Sequence, residues 1–233
     1  MKKTVLELGG SDPFMVLEDA DLEKAARAAV RSRTANAGQS CIAAKRLIVM
    51  ESICEAFREK FVEVMNGLRI GDPMDESTDL GPVAKKQFVE TLGKQLDDAL
   101  KKGARAHRGP KPPNQGYFFQ PVVLTELTAE MLVLKEEVFG PIAPVITARS
   151  EQDMIRIANA TEFGLGAAIW TRDISKAERL AREIASGFIA INGIVKSDPC
   201  LPFGGVKKSG FGRELSHFGL KEFVNIKTIV IGG

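Results

Sequence analysis

Segments rich in β-formers alternate with helical segments along the whole chain, and this alternation limits the fold more than any other feature of the sequence. "KTVLEL" ends at Gly9-Gly10 and reads as a short strand. "DADLEKAARAAVRSRTANAG" follows, acidic in its first turn and Ala-rich throughout, which predicts a helix closed near Gly38. "KRLIVM" is the next strand. After Ser52, a candidate N-cap, Ile53, Phe57, Phe61, Val64 and Leu68 trace one face of a helix. "GPVAKKQFVETLGKQLDDALKKGA" predicts another, opened by Pro82 and ended at Gly103, with Lys101 and Lys102 suited to its C-terminal dipole.

Beyond the loop "RGPKPPNQG", "FFQPVVLTEL" and "IAPVITA" read as strands flanking "TAEMLVLKEEVFGP". "SEQDMIRIANA" predicts a short helix and "LGAAIWT" a strand. "DISKAERLAREIASG" opens on Asp173 as N-cap and sets Ile174, Ala177, Ala181 and Ile184 on one face; the strand "FIAIN" follows. Residues 193–212, with five glycines and two prolines, form a long loop of the kind that more often serves function than filling. "EFVNIKTIVIGG" is a β-rich tail that calls for a partner edge. The pattern predicts an α/β fold: an open, mostly parallel sheet flanked by helices, as one main domain over 1–222 with a terminal strand at 223–233.

Composition narrows the function classes. With 233 residues, 32 Lys+Arg against 30 Asp+Glu and 6% aromatics, the chain lacks the basic surplus and stacking residues of a nucleic-acid binder. Cys41, Cys54 and Cys200 are odd in number and widely spaced, and His107 and His217 lie far apart, so neither a disulfide framework nor a metal site is expected. Glu7 and Asp12 interrupt any apolar leader, and no run approaches membrane-spanning length. The expectation is a soluble protein of the cytoplasm.

Chemistry is sought first at "TANAGQSCIAAKR". Cys41 stands between a helix and a strand, where converging backbone N–H groups lower a thiol's pKa. Glu7 ends a strand beside two glycines, a place from which a carboxylate reaches an open cleft. A cysteine nucleophile with a carboxylate base suits acyl chemistry through a thioester. Spacing alone leaves the alternative open, with Cys41 as packing and Glu7 as a solvated strand end.

Four motifs in order resolve that choice: "LELGG", then "GQSC", then "EEVFGP", then "PFGGVKKSGFGRE". Together they resemble the aldehyde dehydrogenase superfamily over essentially the whole chain. "LELGGSDPF", "INGIVKSDP" and "SGFGRELSHFGL" are most similar to its succinate-semialdehyde branch. The resemblance implies NAD- or NADP-dependent oxidation of a small aldehyde. Cys41 would be the nucleophile and Glu7 the base that activates the hydrolytic water. It implies that Glu137 holds the nicotinamide ribose, that Phe139 packs beside the cofactor, and that Phe203 lies near the substrate. Lys196 and Ser197 are candidates to contact a substrate carboxylate. Cys54 reads as structural, and Cys200 as a surface thiol or as lining the substrate entrance. Lys45 and Arg46 read as flanking a strand start. The terminal strand implies a homo-oligomer.

The resemblance breaks at the N-terminus. Family members carry a Rossmann-type cofactor domain before the "LELGG" strand, together with an oxyanion-stabilising Asn and an adenosine-binding Lys. Here Met1 stands where that domain would end, and the sequence holds no GxGxxG. The expectation is a truncated chain, from a truncated gene, a split enzyme with a separate cofactor-domain chain, or an engineered fragment. Such a chain would bind no cofactor and oxidise no aldehyde alone. The competing reading is a non-catalytic folded remnant or oligomer-forming module.

Overall fold

The computed structural model describes residues 2–233. Its frame is a seven-stranded sheet in the order β4-β5-β6-β3-β2-β8-β9. The strands are β2 (Asp12–Val16), β3 (Ala44–Met50), β4 (Arg105–Arg108), β5 (Val122–Thr125), β6 (Ile142–Ala148), β8 (Gly166–Trp170) and β9 (Phe188–Ile191), while β7 (Phe163–Gly164) and β10 (Val206–Lys207) pair with each other outside it. All neighbours run parallel except β4, which pairs antiparallel with β5 at the edge. A parallel sheet must be covered on both faces, and the central strands are buried throughout, as that requires.

Alternation along β2 and β3 distributes side chains to two cores. Phe14, Val16, Leu47 and Val49 pack against α1 (Leu22–Thr34) and α2 (Cys54–Asn66), whose facing residues include Ala25, Ala26, Ala29, Phe57 and Phe61. Met15, Leu17, Ile48 and Met50 point the other way, toward α5 (Glu151–Asn159) and α6 (Ile174–Ala181), meeting Met154, Ala158, Ala177 and Leu180. A third cluster joins α3 (Lys86–Lys101), through Leu92, Leu96 and Ala99, to β5 and Ile142. Helix starts follow side-chain capping: Asp21, Ser150 and Asp173 each accept the backbone N–H three residues on.

Several sequence expectations need correction. The strand read in "KTVLEL" is only β1 (Leu6–Glu7), in a separate two-stranded pairing. The central strand next to it in sequence is β2, hidden by its Pro13. Proline fits there because the register with β3 shifts between Asp12 and Pro13, so its missing N–H falls at an irregularity. Ser52 does not cap α2; residues 51–53 form a 3₁₀ turn instead. Pro82 does not open α3, which starts four residues later because Val83 N–H is drawn to Tyr117 O.

The last ten residues form no strand in the single chain, and Ile226, Ile229, Val230 and Ile231 are exposed. An extended segment without a ladder partner gains no net stability over its solvated form, so no strand is formed there. Among the described residues no helix is long and apolar enough to cross a membrane, and no three His, Cys, Asp or Glu side chains are grouped to hold a metal.

Candidate active site

Cys41 owes its place to the turn that ends α1. Asn36 and Ala37 take φ of 52° and 55°, and Gly38 follows at 77°. A Cβ on Gly38 would stand 2.5 Å from the Gly140 carbonyl carbon, so glycine is what lets this turn lie against the "EEVFGP" segment. Arg33, wholly buried, ties the two by donating to Gly38 O at 2.7 Å and Val138 O at 3.3 Å. The chain then enters β3 with Cys41 half-buried against Leu165, Val195 and Phe203. Burial pushes the Cys41 thiol up, and Asp12 and Glu137 push the same way; Lys45 and the Ile42 N–H oppose them. The expected net lowering by backbone N–H groups is therefore not found: one such group contributes, and desolvation outweighs it.

Glu7 comes from the opposite side. β1 pairs with β11 (Gly210–Phe211), with Glu7 opposite Gly210. Ser209 fastens this pairing: its carbonyl accepts Leu8 N–H at 3.0 Å and its hydroxyl donates to Gly9 O at 2.7 Å. The Glu7 carboxylate turns inward, with Oε1 3.0 Å from where a Cβ on Gly204 would sit. Neither oxygen has a hydrogen-bond partner, although the Gly205 N–H is near enough to favour the anion weakly. Desolvation and then Glu214 raise its pKa, against a smaller pull from Arg213. Cys41 thus packs on the cluster that contains Phe203, and Glu7 Oε1 lies beside the next residue, Gly204.

Glu137 and Phe139 follow α4 (Leu132–Lys135). Glu137 Oε1 lies 3.0 Å from the buried Lys45 ammonium and accepts Gly10 N–H at 3.1 Å. Lys45 also sits 6.0 Å from the Phe139 ring centre, and Phe139 meets Phe88 edge-on at 6.0 Å. A cleft of about 130 Å³ opens there, lined by Gln87, Phe88, Thr91, Leu92, Glu137 and Phe139. A carboxylate acceptor beside an aromatic wall is a donor–acceptor set that fits a ribose and a flat heterocycle, so these residues suit the nicotinamide end of a dinucleotide. A larger cleft of about 510 Å³ lies between β6 and α5, lined by Thr147, Arg149, Asp153 and Arg156 among others, and includes none of these site residues.

Lys196 and Ser197 are exposed, as is Cys200, while the adjacent Val195 is buried beside Cys41. Cys54 lies at the start of α2 with its sulfur 3.3 Å from Thr147 Oγ1. Lys45 and Arg46 do not flank β3; they lie inside it, 1% and 2% exposed. Arg46 donates to Ser11 O, Ile157 O and Ala158 O, the shortest of these bonds at 2.6 Å. Sequence reading missed these two and Asp12. The available signal was two adjacent charges within an otherwise apolar strand.

Asp12 is 2% exposed, with Oδ1 accepting Gly166 N–H at 3.0 Å and Oδ2 without a partner. Burial outweighs Lys45 and Arg46 and raises its pKa from 3.8 to about 6. The folded chain therefore holds a proton that the unfolded chain has released, and this contribution to stability is lost as pH rises from about 4 through about 6. Asp12→Asn is expected to remove the loss. It should match the parent near pH 4 and exceed it at pH 7.5 by up to about 3 kcal/mol. Urea unfolding across that range is the check, and a difference independent of pH would sink the assignment.

Comparison with known proteins adds a second line. Residues 1–229 match the aldehyde dehydrogenase family. The chain is 49% identical over 233 residues to succinate-semialdehyde dehydrogenase (NADP+) 1 of Mycobacterium ulcerans (strain Agy99), covering 100% of this chain and 51% of that protein. It is 50% identical over 232 residues to the protein of the same name in Mycobacterium tuberculosis (strain H37Rv), covering 99% and 51%. Among solved structures, succinic semialdehyde dehydrogenase from Streptococcus pyogenes in complex with NADP+ superposes with a TM-score of 0.95 at 37% identity, over 99% of this chain and 51% of that one. Succinate-semialdehyde dehydrogenase from Burkholderia pseudomallei gives 0.94 at 41% identity, over 97% and 47%. The chain spans about half the length of the curated relatives it matches.

Proposed function

Because the chain belongs to the aldehyde dehydrogenase family, an oxidoreductase family, we propose that it supplies the nucleophile, the base and the nicotinamide-ribose contact for oxidation of succinate semialdehyde. What supports this is the placement of Cys41 on the cluster that contains Phe203 and of Glu7 Oε1 beside Gly204, with Glu137 joined to the Cys41 turn through Lys45. In this reading the Cys41 thiolate attacks the aldehyde carbon and forms the C–S bond of a thiohemiacetal. The bound nicotinamide supplies the hydride acceptor. With that group bound, hydride would leave the carbon of the thiohemiacetal alkoxide, whose oxygen would become the carbonyl of a thioester on Cys41. Glu7 then takes a proton from water, whose oxygen attacks the thioester; the C–S bond breaks, the acid leaves and Cys41 is regenerated. Phe203, buried in the cluster that Cys41 packs on, would lie against the bound aldehyde.

Glu137 would accept from the ribose hydroxyls, and Phe139 would wall the ring. NADP+, present in the names of the mycobacterial relatives, is our first choice of cofactor and NAD+ the second. The reaction as a whole is proposed for the full-length form, since this chain spans about half of its relatives' length.

Ser197 is assigned to the substrate carboxylate. With the chain joined to the N-terminal half of a relative, Ser197→Ala is expected to raise KM for succinate semialdehyde about tenfold, from loss of a hydrogen bond to a charged group. KM for an uncharged aldehyde of similar length should stay put. Equal changes for both would remove Ser197 from the site, and formation of neither NADPH nor NADH by the joined protein would refute the proposed activity.

A further inference from the structure

We propose that Lys45 is the positioning residue for Cys41, its ammonium fixing the turn that carries the thiol and setting beside it the cation that holds the thiolate. This rests on the reading of Cys41 as nucleophile. Lys45 Nζ lies 2.8 Å from Ser40 O, 2.7 Å from Cys41 O and 3.0 Å from Glu137 Oε1. Three acceptors require three donors, and only a protonated amine has three. The side chain is 1% exposed, and burial and Arg33 both work against its charge; Glu137 and Asp12 work for it. An ammonium retained against that desolvation holds the Cys41 backbone directly and the thiol through space.

The charged groups facing Cys41 are Lys45 of β3, Asp12 of β2 and Glu137 after α4, while Arg33 of α1 faces Lys45. Lys45 favours the thiolate; Asp12 and Glu137 oppose it. Glu137 acts in two ways, through its own charge and by neutralising Lys45. Removing Lys45 and removing the Glu137 charge should therefore move the thiol in opposite directions. A residue that served only to fill space or brace the turn would show no such opposition.

The test is alkylation of Cys41 in the purified chain by iodoacetamide, in which the thiolate displaces iodide, read by peptide mass spectrometry as a rate against pH. Lys45→Met is expected to slow labelling of Cys41 about tenfold at pH 7.5 and to move its pH profile upward. Glu137→Gln should speed labelling several-fold and move the profile downward, roughly as loss of one nearby opposing charge predicts. Circular dichroism monitors folding. If Lys45→Met does not fold, Glu137→Gln decides alone. A folded Lys45→Met with the parent's profile, or a Glu137→Gln profile that is unchanged or raised, overturns the proposal. Parent Cys41 labelled no faster than Cys54 would overturn the nucleophile assignment as well. Fast Cys41 labelling that ignores Lys45 would overturn this proposal and leave that assignment standing.

Discussion

Cys41→Ser is expected to abolish the burst of nitrophenol released by this chain from p-nitrophenyl acetate and to cut steady hydrolysis by roughly a thousandfold or more. Ester attack needs a thiolate and a base but no cofactor, so it isolates the part of the chemistry assigned to this chain. A serine hydroxyl keeps the geometry and loses the acidity, so at neutral pH it supplies almost no anion for the attack that the thiolate makes. Because burial raises the Cys41 pKa, the burst rate should still be climbing at neutral pH. Glu7→Gln should spare the burst and slow turnover by about 10²–10⁴, the usual worth of a general base. In the parent, turnover should rise with pH through a value above the ordinary carboxylate range, since the raised Glu7 must ionise before it can act. A burst that survives Cys41→Ser would assign the attack elsewhere, and equal loss of burst and turnover in Glu7→Gln would deny Glu7 its separate role.

Arg46→Met is expected to cost about 3–5 kcal/mol of unfolding free energy, which for a domain of this size lowers Tm by about 6–20 °C. The guanidinium holds three carbonyls: Ser11 O at the start of β2, and Ile157 O and Ala158 O at the end of α5. Methionine fills much of the volume and satisfies none of them. Asp12, which supports the Arg46 charge, would lose its neighbour too. Desolvation lowers the Arg46 pKa to about 10, so the group stays charged at neutral pH. Urea unfolding measures the effect. A loss below about 1 kcal/mol would mean that water or a shifted helix end satisfies those carbonyls.

Much of this architecture can be read from residue order, and the exceptions have physical causes. "IAPVITA" coincides with β6, and Asp173 caps α6 as its position implies. β2 escapes because "DPFMV" is short and opens on Asp12-Pro13 directly after two glycines and a serine, a run that reads as a turn. β4, "RAHR", has no apolar alternation because it is a half-exposed edge. At the site, the motifs single out Cys41, Glu7 and Glu137. What lies under them was not legible. Lys45 and Arg46 belong to the same apolar-looking strand, and their burial depends on partners more than 90 positions away in Glu137 and Ile157. Local pattern carries no record of such pairings.

The order of strands in the sheet also has a consequence for the moment of synthesis. β2 lies between β3, which follows shortly after it, and β8, whose Gly166 bonds Asp12 across 154 positions. At 5–20 residues per second a ribosome takes roughly 8–30 s to make that stretch. Through that interval β2 and β3 can pair, and β6 and β5 can add beyond β3, while the other edge of β2 stays open. That edge carries Phe14, Met15 and Val16, which the finished sheet covers wholly. The nascent chain is thus a growing half-sheet with one unpaired edge until β8 emerges.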